Sequence, residues 1–174
     1  MRLPKLSLVL GGAASGKSVF AEGLILGSGL APVYVATAQS WDAEMAAKIA
    51  AHRAQRGPGW RLIEEPLEIS KKLTAVNFSD AVLVDCATLW LTNVMLADRD
   101  TEAAGTELLA ALADCPAPVV IVSNEVGQGI VPDNALARRL RTAQGRLNQR
   151  LAAQADLVVM VIAGLPMVVK GALA

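Results

Sequence analysis

Gly11-Gly12-Ala13-Ala14-Ser15-Gly16-Lys17-Ser18 fits G-x-x-x-x-G-K-[ST] and constrains this chain more than any other stretch. An apolar run, Leu6–Leu10, precedes it. Helical spacing from Lys17 to Leu26 follows, with Phe20, Leu24 and Ile25 on one side, until Gly27-Ser28-Gly29 stops it. Strand, glycine-rich turn and helix are the parts of a phosphate cradle. Glycines let successive backbone N–H groups turn inward on an anion, and the helix that follows adds the positive end of its dipole. Lys17 is expected to reach the β- and γ-phosphates of a nucleoside triphosphate, and the Ser18 hydroxyl to ligate Mg²⁺.

The rest of the pattern agrees with such a start. Val33–Thr37, Trp60–Glu64, Ala81–Asp85, Pro118–Val122 and Leu157–Ile162 read as short strands, mostly apolar throughout. Helical stretches lie between them: Asp42–Gln55, ended by Gly57-Pro58-Gly59, then Leu67–Val76, Thr88–Leu96, Glu102–Leu112 and a long amphipathic helix over about Asn134–Gln154. The tail is expected to add an edge strand near Met167–Val169. Strands alternating with helices imply an α/β fold, a mainly parallel β-sheet flanked by helices, whose ligands bind outside the carboxyl ends of the strands. That rule puts Gly11–Ser18, Thr37, Asp85 and Ser123–Gly129 on one rim. One domain over 1–174 is expected from the length. Its core must be aliphatic, since hydrophobic residues make up 53% of the chain but aromatics only 3%.

Several classes are disfavoured. A net charge of +0 gives no field that would draw nucleic acid or an anionic membrane. No apolar run approaches the roughly 18 residues of a membrane span, and Leu6–Leu10 is too short for a signal peptide. Cys86 and Cys115 form no C-x-x-C, so two reduced thiols in a cytoplasmic protein are expected. A regulatory GTPase would carry D-x-x-G after its metal acid, but the fourth residue here is Thr88. It would also carry [NT]-K-x-D, where this chain has Ser123-Asn124-Glu125-Val126.

Asp85 ends an apolar strand, as an acid that holds Mg²⁺ does; the alternative is an N-cap for the next helix. His52 is the only histidine. Met45, Ile49 and His52 fall at i, i+4 and i+7, which predicts an inward stripe, and their helix follows a strand bordering the phosphate site. An imidazole there would serve as base, as donor or as a covalent nucleophile on phosphorus; an ordinary surface or core histidine is the other reading. Arg53 and Arg56 flank it and suit phosphates or solvent equally. Glu64 or Glu65 is a candidate for a ribose hydroxyl, though an ordinary surface role is the favoured reading for both. Arg139, Arg146 and Arg150 can share a face of the long helix, expected to meet solvent or another subunit, with substrate binding as the alternative. Trp41, Trp60 and Trp90 are expected to pack rather than to stack on a ligand.

Taken together, Gly11–Ser18, Tyr34-Val35-Ala36-Thr37-Ala38, Asp42-Ala43-Glu44-Met45 through Ile49 to His52-Arg53, Ser123–Asn134 and Gly145-Arg146-Leu147-Asn148-Gln149-Arg150 resemble the bifunctional adenosylcobinamide kinase / adenosylcobinamide-phosphate guanylyltransferase family of cobalamin biosynthesis. The resemblance runs from about Leu6 to Gly164. It implies a P-loop NTPase with RecA-like topology and a homotrimer. It also implies a corrinoid substrate phosphorylated by ATP or GTP, then GMP transfer from GTP through a guanylylated histidine, matched here by His52. By the same resemblance Gly11, Gly12, Ala13, Ala14, Ser15, Gly16, Lys17, Ser18, Ala36, Thr37, Ala38, Arg53, Ala54, Gln55, Arg56, Glu64 (or Glu65) and Asp85 would line the nucleotide, with Mg²⁺ on Ser18 and Asp85. The chain departs from the family at Ala14, where members often carry Arg. A small-molecule or nucleotide kinase without the guanylyl step, and a nucleotide-gated assembly factor, are the alternatives.

Overall fold

Each apolar run of the sequence becomes a strand. The computed structural model describes residues 2–40 and 43–173; the side chains of Glu44, Met45, Lys48, His52, Arg53, Gln55 and Arg56 lie outside the described set. In chain order the elements are β1 (Leu6–Gly11), α1 (Lys17–Gly27), β2 (Ala31–Ala36), α2 (Ala43–Arg56), β3 (Arg61–Glu64), α3 (Ile69–Leu73), β4 (Asp80–Asp85), α4 (Ala87–Leu96), α5 (Thr101–Asp114), β5 (Val119–Asn124), α6 (Ala135–Gln154), β6 (Leu157–Ile162) and β7 (Leu165–Lys170). The described residues form one seven-stranded sheet in the order β3-β2-β4-β5-β1-β6-β7. Every pairing is parallel except β6 with β7.

Alternation along the strands divides the core in two. Leu6, Leu8, Val33, Val35, Val82, Val84, Val119 and Ile121 point to the face packed by residues of α3–α6, where Trp90, Leu91, Leu108, Leu112 and Leu151 are buried. Val9, Tyr34, Leu83, Val120, Val122, Val159 and Val161 point to the other face and meet Ala21, Leu24 and Ile25 of α1. Burying each such aliphatic side chain contributes about 1.5–3 kcal/mol, so an almost wholly aliphatic core suffices. Trp60 packs edge-on against Tyr34, with ring centroids 5.9 Å apart. Trp90 is buried and donates from Nε1 to the Leu67 carbonyl at 2.9 Å. Both tryptophans pack, as expected; Trp41 lies outside the described residues.

Three expectations change. The helix predicted over Leu67–Val76 shrinks to Ile69–Leu73, because Glu65 Oε1 accepts from the amides of Leu67 and Glu68 and closes a turn there. The edge strand near Met167–Val169 is longer, Leu165–Lys170, and antiparallel to β6. Arg146 is exposed to solvent as expected, whereas Arg150 is half-buried. Because α5 lies beside α6, Arg150 stands 3.2 Å and Arg146 3.8 Å from Glu102, and Arg150 also donates to Thr106 Oγ1 at 2.7 Å.

Candidate active site

The register of the sheet assembles the rim. Glu64 on β3, Ala36 on β2 and Asp85 on β4 are direct neighbours at the strands' carboxyl ends. Val122 of β5 continues the row from Asp85, and Val9 of β1 pairs with Val122. Gly11 closes β1 between Asn124 of β5 and Val161 of β6. One strand, β5, separates the phosphate loop from the strand that carries Asp85.

The loop has little steric freedom at its start. A Cβ on Gly11 would lie 2.3 Å from Ser15 Oγ and 2.8 Å from the Val161 carbonyl, so only glycine fits. Gly16, at φ +91°, enters α1 in the left-handed region, and Ala14 also sits there, at φ 54°. For Ala14 this conformation costs about 1 kcal/mol relative to a right-handed backbone. The loop is held from both sides: Glu125 N donates to the Gly11 carbonyl at 3.0 Å, and Gly164 N, in the β6–β7 turn, donates to the Ser15 carbonyl at 2.8 Å. Lys17 Nζ lies within the loop and donates to the Gly12 carbonyl at 3.1 Å. Ser15 Oγ and Asn124 Oδ1 are buried oxygens without a partner among the described residues, one in the loop and one at the end of β5.

Asp85 is partly exposed, and its Oδ2 accepts from Tyr34 Oη at 2.6 Å. It does not cap α4. Cys86 does, its Sγ accepting from Leu89 N at 3.4 Å, so the capping alternative for Asp85 falls away. Burial, reinforced by the neighbouring Asp85 charge, pushes the Cys86 thiol up to about 11, which leaves it protonated and unreactive at neutral pH. Burial also raises the Cys115 thiol.

Thr37 is fully buried. Its hydroxyl donates to the Cys86 carbonyl and accepts from Cys86 N, both at 2.8 Å, and its amide donates to the Asp85 carbonyl at 3.1 Å. It therefore fastens the β2 and β4 ends to each other. Ala36 and Ala38 flank it, partly exposed. Glu65 is engaged in the turn before α3, whereas Glu64 ends β3 exposed on the rim. On α2, Ala43, Ala46, Ala47, Ala50, Ala51 and Ala54 are exposed and Ile49 is half-buried. The expected inward stripe thus shows only at Ile49; Met45, His52, Arg53, Gln55 and Arg56 lie outside the described side chains.

The rim rests on a polar layer that motif spacing does not reveal. Asn93 Nδ2 donates to the carbonyls of Thr37 (2.8 Å) and Pro66 (3.0 Å), and Thr88 Oγ1 accepts from Asn124 N at 2.9 Å. Under β5, Asn148 Oδ1 accepts from Ser123 Oγ at 2.6 Å and Gln144 Nε2 at 2.9 Å, while Asn148 Nδ2 donates to the Asn124 carbonyl at 3.2 Å. Gln144 Nε2 also reaches Ser123 Oγ, at 2.8 Å. Ser123, Gln144 and Asn148 are all buried, so the segments around 123 and 148 form one network. The usable signal was polar side chains on otherwise apolar helix faces, which must be paired when buried. Among the described residues no group of three or more His, Cys, Asp or Glu gathers as a metal cluster, and no helix is long and apolar enough to cross a membrane.

Comparison with known proteins agrees with this geometry. Residues 7–169 match the family described as cobinamide kinase / cobinamide phosphate guanyltransferase. The bifunctional adenosylcobalamin biosynthesis protein CobP of Pseudomonas aeruginosa is 46% identical over 167 residues, covering 94% of this chain and 96% of that one. Its counterpart CobU of Salmonella typhimurium is 44% identical over 179 residues, covering 94% and 98%. Among solved structures, the RadB recombinase superposes with a TM-score of 0.55 at 18% identity, covering 91% of this chain and 75% of that one. At that identity the likeness speaks for the fold alone, that of a P-loop NTPase with a mainly parallel sheet.

Proposed function

The chain belongs to the cobinamide kinase / cobinamide phosphate guanyltransferase family, and from that premise we propose that a single nucleotide site on the rim performs both of the family's reactions. The observation that carries the proposal is the braced loop Gly11–Ser18 beside the row Glu64, Ala36 and Asp85.

In the kinase reaction the acceptor hydroxyl of adenosylcobinamide attacks the γ-phosphorus of ATP or GTP. The bond from γ-phosphorus to the bridging oxygen breaks and the nucleoside diphosphate leaves. Loop amides and Lys17 stabilise charge gathering on the phosphate oxygens. In the second reaction neutral His52 attacks the α-phosphorus of GTP and pyrophosphate leaves. A phosphate oxygen of the phosphorylated corrinoid then attacks the histidine-bound phosphorus. The P–N bond breaks, giving adenosylcobinamide-GDP and free His52. The same loop holds the γ-phosphoryl group in one reaction and the pyrophosphate leaving group in the other. Arg53, Ala54, Gln55, Arg56 and Glu64 are assigned to the nucleotide, Glu64 because it ends β3 exposed on the rim beside Ala36.

Ser18 and Asp85 suit Mg²⁺. One is a hydroxyl on the first turn of α1, the other a carboxylate with one oxygen fixed by Tyr34, and the pair would leave the ion's remaining positions to water and phosphates. When bound, the ion supplies charge neutralisation on the phosphates. A homotrimer of single-domain subunits in the cytoplasm completes the proposal, and sedimentation tests the trimer.

The deciding experiment uses α-labelled GTP, quenching and a search for acid-labile, base-stable label on the protein. Wild type takes label and His52→Ala does not. Label undiminished in His52→Ala removes the histidine from the mechanism. Absence of label in wild type with phosphorylation intact leaves a kinase alone.

A further inference from the structure

The loop between β5 and α6 is fixed in shape yet displays apolar side chains to solvent. Its backbone is tied at several points. Glu125 N bonds to the Gly11 carbonyl at 3.0 Å, and Glu125 Oε1 accepts from Gly127 N at 2.6 Å. Arg141 Nη2 donates to the carbonyls of Gly127 and Gly129. Arg138 Nη1 donates to those of Pro132 at 2.9 Å and Asp133 at 2.6 Å, and Asn134 caps α6. Two arginine heads are thus turned inward onto carbonyls. Outside stand Ile130, 96% exposed, and Val131, 65% exposed, with Val126 and Leu136 also exposed. Ordering a loop loses entropy, and an ordered loop that leaves branched aliphatics in water recovers none of it by burying them. Such a surface is pre-organised for a ligand.

Resting on the family reading above, we propose that Ile130 and Val131 form the lip that receives the macrocycle of the corrinoid acceptor. The base of the loop, Glu125, is bonded to the first residue of the phosphate loop, so the loop springs from the same end of the sheet as the phosphate site, where an acceptor must approach. Branched aliphatic tips suit the methyl-studded faces of a corrin ring and offer nothing to phosphate or ribose. The loop leaves β5, the strand between β1, which feeds the phosphate loop, and β4, which carries Asp85. The longer apolar exposure along β7, at Leu165, Met167 and Val169, is a separate surface at the sheet edge.

The test is Ile130→Ser/Val131→Ser, with Ile130→Leu as the conservative partner. Three quantities are read: acceptor KM in the phosphorylation assay, protein labelling by α-labelled GTP without acceptor, and sedimentation coefficient. The acceptor KM rises at least about tenfold, on the scale of a lost aliphatic contact, and Ile130→Leu stays near wild type. On this proposal labelling stays within about twofold and sedimentation is unchanged, because the aliphatic tips contact the acceptor and neither the nucleotide nor a second subunit. An acceptor KM within twofold of wild type, a parallel fall in labelling, or a change of assembly each overturns the proposal. Failure of the wild-type protein to phosphorylate cobinamide or to take label discards the family reading itself, which the variant comparison alone does not touch.

Discussion

Asn148→Ala removes the centre of the polar network beneath the rim. Asn148 makes three hydrogen bonds, to Ser123 Oγ, Gln144 Nε2 and the Asn124 carbonyl. After truncation Gln144 Nε2 keeps Ser123 Oγ at 2.8 Å, so its loss is partial. The Ser123 hydroxyl proton and the Asn124 carbonyl are left without their partner. Each unsatisfied buried group costs about 1–3 kcal/mol, so the variant is expected to lose about 2–6 kcal/mol. For a protein of this size that lowers Tm by roughly 4–24 °C. Urea unfolding gives the free energy directly, and Ser123→Ala paired with Asn148→Ala in a double-mutant cycle gives the coupling, expected above about 0.5 kcal/mol. The Asn124 end of β5 flanks Gly11, so GTP labelling of the folded variant should fall as well. A loss under about 0.5 kcal/mol with additive single mutants would refute the network as the support of the rim.

Tyr34→Phe frees Asp85 Oδ2 from its 2.6 Å donor and should reduce Mg²⁺-dependent turnover about 10–100-fold, the usual effect of losing an outer-sphere partner; raising Mg²⁺ in the kinase assay should restore part of it. Cys86 keeps its proton to about pH 11 when folded but releases it near 9.0 when unfolded. The unfolded chain therefore binds fewer protons over that window, and stability falls as pH rises from 9 to 11. Cys86→Ala should flatten that decline in urea titrations, and thiol reagents at pH 8 should label wild type only after unfolding.

The strands were legible because a sheet covered on both faces needs unbroken apolar runs, and Leu6–Leu10, Ala81–Val84 and Leu157–Ile162 are such runs. Gly11–Ser18 was legible because a phosphate cradle admits few residue types. The support beneath it was not. Thr88 was noticed in the sequence only as the residue that breaks D-x-x-G; in the fold it fixes the Asn124 amide. Thr37 stood as a rim residue, and the fold turns it inward onto Cys86. Glu64 and Glu65 were indistinguishable in the sequence; the fold puts Glu64 at the exposed end of β3 and Glu65 in the turn before α3. These roles depend on partners some 20 to 60 residues away, or on a local turn that propensity does not specify, and neither is carried by spacing.

The tie between Gly164 N and the Ser15 carbonyl bears on how the protein comes into being. Gly11 pairs with Asn124 and Val161, so the phosphate loop has its walls more than a hundred residues downstream. A nascent chain on the ribosome emits Gly11–Ser18 before β5 and β6 and must wait for both strands before that loop has neighbours on both sides. Contacts of such separation form late and slowly. The loop is made before its walls, and triphosphate binding therefore reports a chain extended through Gly164.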